Sequence, residues 1–292
     1  MLGRIFARPA AQGAPTLIAV GHGSRDPRAA AALGLLADRV RELRPGLDVR
    51  LAHIELNAPL LADTLAGLAR AGGDGLGGLA SPDAGTLAGP ARPGRGAGLA
   101  RPRAGAVLVP LLFARGHHVK HDLPAAAAAA PAGVRVRIAE PLGPHPLLVE
   151  ALADRLAEAG WTPRDGASPT SGVVLAAAGS RDPESAAGIR RVAARLGERL
   201  GGVPVLPAFA SGAGPTVPEA VRALAARGRH RIAVASCFTA PGRFAARAAA
   251  HAPWLAAAPL GAHPALARLI LHRYDEAVMS PVPAREFAAA AG

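Results

Sequence analysis

The pentapeptide Gly-Ser-Arg-Asp-Pro occurs twice, at Gly23–Pro27 and Gly179–Pro183, 156 residues apart. Each copy follows an apolar run (Leu17–Val20; Val173–Ala178) and precedes an Ala-rich helical pattern. The same offset sets Ala52–Leu65 on Ala208–Val221, with Pro59 on Pro215. Further on, Ala106–His118 matches Ile232–Phe244, and Pro141–Leu148 matches Pro259–Leu266. Four matches in one order identify a tandem duplication, so whatever one half folds into, the other repeats. The 292 residues are therefore expected as two similar domains of about 130 residues each rather than one large one.

The stretch Ala71–Gly105 has no counterpart in the second half and is dominated by Gly, Pro and Ala without periodicity. Such a segment buries too little apolar surface to offset its ordering entropy, and is expected as a disordered insertion. The resulting layout is a first lobe over 1–160 carrying the 71–105 insertion, a polar linker at 161–171, a second lobe over 172–279 and a tail at 280–292.

Within the first half, short apolar runs predict strands near Thr16–Val20, Asp48–Ile54, Ala106–Leu112 and Val134–Ala139. Helical patterns lie between and after them, near Pro27–Arg44, Pro59–Arg70, Asp122–Ala130 and Pro146–Ala159. Alternating β and α segments call for parallel strands joined by right-handed crossovers, with helices on both sheet faces. The predicted fold class is α/β, two tandem flavodoxin-like (Rossmann-like) lobes with parallel sheets. In such sheets ligands sit outside the carboxyl ends of the strands, which directs attention to the loops beginning at Gly21, His53 and Phe113.

Composition narrows the partners. The formal charge is +12 with a pI near 11.5, which favours an anionic ligand. Lys120 is the one lysine, and the arginines are scattered rather than grouped. No RNP box, zinc finger or arginine-rich arm with interleaved aromatics is present, so no nucleic-acid partner is expected. The single cysteine, Cys237, excludes an intrachain disulfide framework and any Cys-rich zinc site, and reads as a small buried residue at a strand end. The opening segment lacks an apolar h-region and no later stretch is long enough to span a bilayer. A cytoplasmic protein without a membrane partner is the expectation.

Comparing the two copies separates turn-forming residues from chemical ones. Asp26-Pro27 and Asp182-Pro183 are helix starts, a capping carboxylate followed by proline at the first helical position, and Gly23 permits the tight turn before them. His22, by contrast, faces Ala178. Glu55 faces Ser211, and the segment Arg115–Pro124, with three histidines, faces one with none before His251. Ligand-type residues are thus concentrated at the strand ends of the first half. His22, His118 and Glu55 form the candidate constellation. His117 is expected to point outward, His121 to lie on the surface and His53 to be a strand residue opposite Phe209. His145 and His263 share a Pro-Leu-Gly-x-His-Pro setting and read as turn-shaping.

Imidazole and carboxylate donors suit Co(II), Fe(II), Ni(II) or Zn(II), and histidine can also accept a proton near neutrality. With no H-E-x-x-H motif and no Cys cluster, a closed structural zinc site is not indicated. Neither a P-loop lysine pattern nor a G-x-S-x-G elbow accompanies the glycine turn, which argues against a phosphate-binding hydrolase.

The ordered motifs Gly-His-Gly-Ser-Arg-Asp, His-Ile-Glu-Leu-Asn-Ala-Pro, Val109–Pro124 and Glu140–Leu148 resemble the sirohydrochlorin chelatases of the CbiX type, which are class II chelatases. The resemblance covers the first half closely and, through the repeat, most of the second. It implies insertion of Co(II) or Fe(II), with Ni(II) as a further candidate, into sirohydrochlorin without ATP, for cobalamin or sirohaem synthesis. The metal would be a substrate, with no tightly bound cofactor. The family's first active-site histidine falls on His22, that of its Gly-x-His motif on His118 with Gly116 as the glycine, and its acidic position on Glu55. His53 stands where the family usually has an aromatic residue. Arg25, Arg115 and Lys120 flank the histidine loops as candidate partners for the carboxylates of the anionic tetrapyrrole. The alternative is a non-enzymatic carrier of metal or tetrapyrrole using the same histidines.

Overall fold

The computed structural model describes residues 13–71, 104–212 and 214–280. The chain forms two parallel four-stranded sheets. The first half contributes β1 (Thr16–Gly21), α1 (Pro27–Leu43), β2 (Val49–His53), α2 (Leu61–Ala71), β3 (Ala104–Pro110), a π-turn (His118–Asp122), α3 (Leu123–Ala128), β4 (Val134–Ile138) and α4 (Pro146–Glu158). The second adds α5 (Pro163–Ala167), β5 (Ser171–Ala177), α6 (Pro183–Arg199), β6 (Val205–Phe209), α7 (Val217–Ala225), β7 (Arg231–Cys237), α8 (Arg243–Ala250), β8 (Leu255–Ala256) and α9 (Pro264–Met279).

Strand order is β2-β1-β3-β4 in one sheet and β6-β5-β7-β8 in the other, all parallel. The registers repeat as well: Gly21 pairs with His53, and Ala177 with Phe209. Continuous apolar runs such as Thr16–Gly21 are buried throughout, as required of strands covered on both faces. Because the chain leaves β1 for β2 on one side and returns to β3 on the other, the end of β1 is the switch point of the order, where such sheets open a crevice.

The apolar core has three parts. Ile18 and Val20 pack with Leu65 of α2 and Leu123 of α3, and Val174 packs with Val217 and Leu224 of α7. Between the sheets, one continuous core joins both halves through α1, α4, α6 and α9. In that central layer the last helices are exchanged. The first-half helix α4 lies against β7 and α6, whereas α9 lies against β3, β4 and α1. Tyr274 Oη of α9 donates to Pro15 O at 2.6 Å, and Arg137 of β4 donates to the carbonyls of Ala277 and Val278 at 3.0 and 2.5 Å. A bidentate Arg44–Asp275 pair adds a further tie.

The segment expected as a linker is structured. Thr162 N–H and its hydroxyl donate to Asp165 Oδ2 at 2.8 and 2.7 Å. Asp165 also accepts from Arg231, whose guanidinium lies 4.0 Å from the Trp254 ring centroid. Trp161, buried, packs against Trp254 at 5.8 Å between centroids. The proline at the first helical position and the Thr-Asp pairing overrule the polar, loop-like composition of 161–171. The expected insertion falls largely outside the described residues, with Ala71 closing α2 and Ala104 and Gly105 opening β3. The tail beyond Ser280 lies outside them as well. Among the described residues no helix is long and apolar enough to cross a membrane.

Candidate metal centre

Both Gly-Ser-Arg-Asp-Pro turns are built alike. Ser24 Oγ accepts from Asp26 N–H, and Asp26 Oδ1 caps α1 by accepting from Arg28 N–H at 3.0 Å. Ser180 and Asp182 do the same for α6. Gly23 has φ +107°, and a Cβ there would meet Glu55 O at 1.9 Å; Gly179, at φ +85°, would meet Ser211 O at the same distance. Only glycine tolerates this backbone with so close a neighbour. The β1–β2 ladder then continues past the strand ends, Glu55 N–H donating to His22 O at 3.0 Å and Ser211 N–H to Ala178 O at 2.9 Å. The scaffold is common to both lobes, and the side chains it displays differ.

On that scaffold the first lobe brings together His22, Glu55 and His118. His22 Nε2 lies 3.3 Å from Glu55 Oε1. With metal–ligand bonds of about 2.0–2.2 Å, two donors at that separation subtend roughly 100° at a single ion. The His118 ring approaches His22 edge-on, centroids 4.5 Å apart and planes at 87°. Among the described residues no three His, Cys, Asp or Glu side chains are grouped so as to hold a metal ion together. What the structure shows is a His22–Glu55 pair with the His118 ring set against it.

Asp122, which sequence reasoning passed over, completes the centre. The π-turn closes with Leu123 N–H donating to His118 O, and this wider turn brings residues four apart nearly over one another. Asp122 Oδ2 consequently sits 2.5 Å from His118 Nδ1. A carboxylate acceptor fixes the proton on Nδ1 and leaves the Nε2 lone pair for the cleft. The signal was available as the i, i+4 spacing of His118 and Asp122, but it reads as a ligand pair only once the turn type is known.

The other expected residues divide. Lys120 Nζ is taken by second-lobe carboxylates, Asp182 Oδ2 at 2.5 Å and Glu184 Oε2 at 2.8 Å, and it serves as a bridge between lobes. Arg115 pairs with Glu140 in a bidentate contact. The positive charge of both is already matched within the protein, which weakens their expected role toward substrate. Arg25 is exposed and has no carboxylate partner among the described residues. His117 is 72% exposed, as expected of an outward ring. His53 ends β2 fully buried, with Nδ1 lacking a hydrogen-bond partner among the described residues, and burial lowers its pKa so that it stays neutral. His145 and His263 cap α4 and α9, their Nδ1 atoms accepting from Leu147 and Ala265 N–H at 3.1 and 3.2 Å. Cys237 closes β7, its thiol pushed up to about 12 by burial.

The lobes meet reciprocally at this rim. A Cβ on Gly116 would lie 3.2 Å from Ser180 Oγ, and one on Gly242, the matching residue of the second half, 3.6 Å from Ser24 Oγ. Each turn is thus faced by the third-strand loop of the other lobe. Arg243 therefore stands at the same rim as Arg25, exposed and without a carboxylate partner among the described residues. Sequence alignment of the halves could have found it at the position of His117.

No curated protein matches the chain. Among solved structures, SirB from Bacillus subtilis with Fe3+ is similar at 20% identity and TM-score 0.66, over 91% of this chain and 96% of that one. The sirohydrochlorin chelatase SirB from Bacillus subtilis subspecies spizizenii in complex with cobalt gives 19% and 0.65 over the same shares. CbiX, described as the terminal enzyme for biosynthesis of siroheme in denitrifying bacteria, gives 22% and 0.59 over 91% of this chain and all of that one. At such identities the likeness establishes a shared two-lobed fold. The model of the CbiX family reaches further, matching residues 16–76, 99–159 and 172–277 and so taking in both copies of the repeat: the chain belongs to the CbiX family.

Proposed function

We propose that the protein is a sirohydrochlorin chelatase that inserts Co(II) or Fe(II) into the tetrapyrrole without ATP. The observation that carries this reading is the opposed His22–His118 pair at the switch point, with Glu55 on one ring and Asp122 on the other. Insertion exchanges one divalent ion for two pyrrole protons. The ion must exchange its water for tetrapyrrole nitrogens, and two histidines with a carboxylate hold it while leaving positions open for that exchange. The protons need acceptors beside the ring: once the ion has passed to the tetrapyrrole, His22 Nε2 takes one and the Glu55 carboxylate the other, and both pass them to solvent. Asp122 keeps His118 in the tautomer that binds metal.

The tetrapyrrole is a polycarboxylate, and the basic chain attracts it by long-range electrostatics. Arg25 and Arg243, one from each lobe, are its proposed anchors, in preference to Arg115 and Lys120. The second lobe, with Ala178, Ser211 and Phe244 at the equivalent positions, walls the cleft without ligating metal. Cytoplasmic location is part of the proposal.

Anaerobic sirohydrochlorin with Co(II), then Fe(II), at substoichiometric protein tests the reading by absorbance. Multiple turnovers, reduced about 10²–10⁴-fold by His22→Ala or His118→Ala as expected for loss of acid–base and ligand groups, support it. Stoichiometric binding without turnover refutes it in favour of a carrier.

A further inference from the structure

Beyond the centre itself, the outer face of the π-turn carries a second histidine pair. His117 and His121 are exposed, four residues apart, with ring centroids at 4.7 Å and planes inclined by 35°. The same turn that sets Asp122 over His118 sets His121 over His117, so the two rungs are products of one backbone feature. Two histidines at i, i+4 on one helical face are a chelating arrangement for first-row divalent ions. The matching positions of the second lobe are Arg243 and Arg247, whose guanidinium groups cannot ligate a metal.

We propose that His117 and His121 form a surface docking site for a hydrated divalent metal ion, from which the ion is handed inward to His118 and His22. Asp122 joins the outer pair to the centre, and the other side chains adjoin in turn. His117 Nε2 lies 3.9 Å from Asp122 Oδ1, the other oxygen of that carboxylate lies 2.5 Å from His118 Nδ1, the His118 and His22 rings are 4.5 Å apart, and His22 Nε2 is 3.3 Å from Glu55 Oε1. Bonds of about 2.0–2.2 Å let a single ion touch two donors up to roughly 4.2 Å apart, so the 3.9 Å gap from His117 to Asp122 is bridged without a fully solvated intermediate. Exposure drops once, on leaving the surface pair: 72% at His117 against 38% at Asp122, 34% at His118 and 39% at His22. An ion moving inward exchanges water for protein donors. Two imidazole nitrogens without a carboxylate bind weakly enough to release, as a loading site requires. No charge change or redox step is involved, only ligand exchange at a divalent ion.

This inference rests on the metal-insertion reading for its purpose, but its binding claim is tested apart from activity. Co(II) is titrated into three full-length proteins by calorimetry and visible absorbance: wild type, His22→Ala/His118→Ala, and that variant with His117→Ala/His121→Ala added. The double variant is expected to retain one weaker Co(II) equivalent, and the quadruple variant to lose it. Retention of equal Co(II) by both, or of none by either, overturns the proposal. His117→Ala/His121→Ala alone is then expected to raise the Co(II) concentration giving half-maximal insertion severalfold, with a smaller fall in the rate at saturating metal. An unchanged half-maximal concentration overturns the loading role. Should wild type fail to insert metal while the double variant still binds its Co(II), the insertion reading falls and the surface site stands.

Discussion

Asp122→Ala removes a hydrogen bond of 2.5 Å from His118 Nδ1, along with the looser 3.9 Å approach of His117 Nε2. A bond between a ring N–H and a carboxylate contributes about 1.5–3 kcal/mol. Loss of an outer partner of a metal-ligating histidine typically costs 10–100-fold in affinity or activity, equivalent to about 1.4–2.7 kcal/mol. The two figures agree. Asp122 is 38% exposed, so water takes over part of its role and the lower part of the range applies, about 10–30-fold. The expected result is a loss of that size in both Co(II) affinity, read by titration at the inner site in a His117→Ala/His121→Ala background, and in kcat/KM for insertion. Asp122→Asn, which keeps an oxygen acceptor, should lose less. The substitution is partly exposed, so the urea midpoint should change little. Wild-type affinity and turnover in a folded Asp122→Ala protein would refute the claim that Asp122 orients His118.

Gly23→Ala and Gly179→Ala force Cβ atoms to 1.9 Å from the Glu55 and Ser211 carbonyls at positive φ. Both should lose about 2–5 kcal/mol in denaturant titrations, while the loss of residual activity per folded molecule should be confined to Gly23→Ala. Tyr274→Phe leaves Pro15 O without its donor and should cost about 1 kcal/mol; an unchanged urea midpoint would show the tie to be incidental. His145 is held down to about 4 from its ordinary 6.5, by burial first and then by the nearby Arg273 and His272. The unfolded chain therefore binds more protons between those values, and stability falls as pH drops from 6.5 to about 4, by on the order of 3 kcal/mol, with no contribution above that window. His145→Asn, which keeps an acceptor for Leu147 N–H, should flatten this stretch of the urea midpoint against pH.

The repeat made most of the fold legible. Strands expected at Thr16–Val20 and Val134–Ala139 are seen at Thr16–Gly21 and Val134–Ile138, and the helix starts at Pro27 and Pro146 are met to the residue. Proline at the first helical position and continuous apolar runs are local signals, which is why they survive reading without tertiary context. Comparing copies also separated His22 from the turn that presents it, since Ala178 occupies an equivalent backbone. Two features escaped for the same reason. Whether His118–Asp122 closes as an α- or a π-turn depends on one hydrogen bond from Leu123, and no residue type in the segment distinguishes the alternatives. The apolar stripes of α4 and α9 show that each must cover a sheet but not which sheet. The ion pairs of Lys120 and Arg115 could not be read either, because their partners, Asp182 with Glu184 and Glu140, are distant in sequence.

The exchange of α4 and α9 has a consequence for how the molecule is made. During synthesis the first sheet emerges early, yet the helix that seals its inner face is α9, which follows every strand of the second half, so its burial waits until both copies of the repeat have left the ribosome. Conversely α4, made before the second lobe, has no sheet of its own to rest on until β7 exists. Neither half is a vectorial folding unit, and the last-formed contacts join α9 to α1, β3 and β4 of the first half, a high-contact-order closure that is intrinsically slow. The duplicated halves are consequently two complementary parts of one cooperative body, and a nascent chain halted at the midpoint is left with two apolar faces that this same sequence, in a second copy, is shaped to cover.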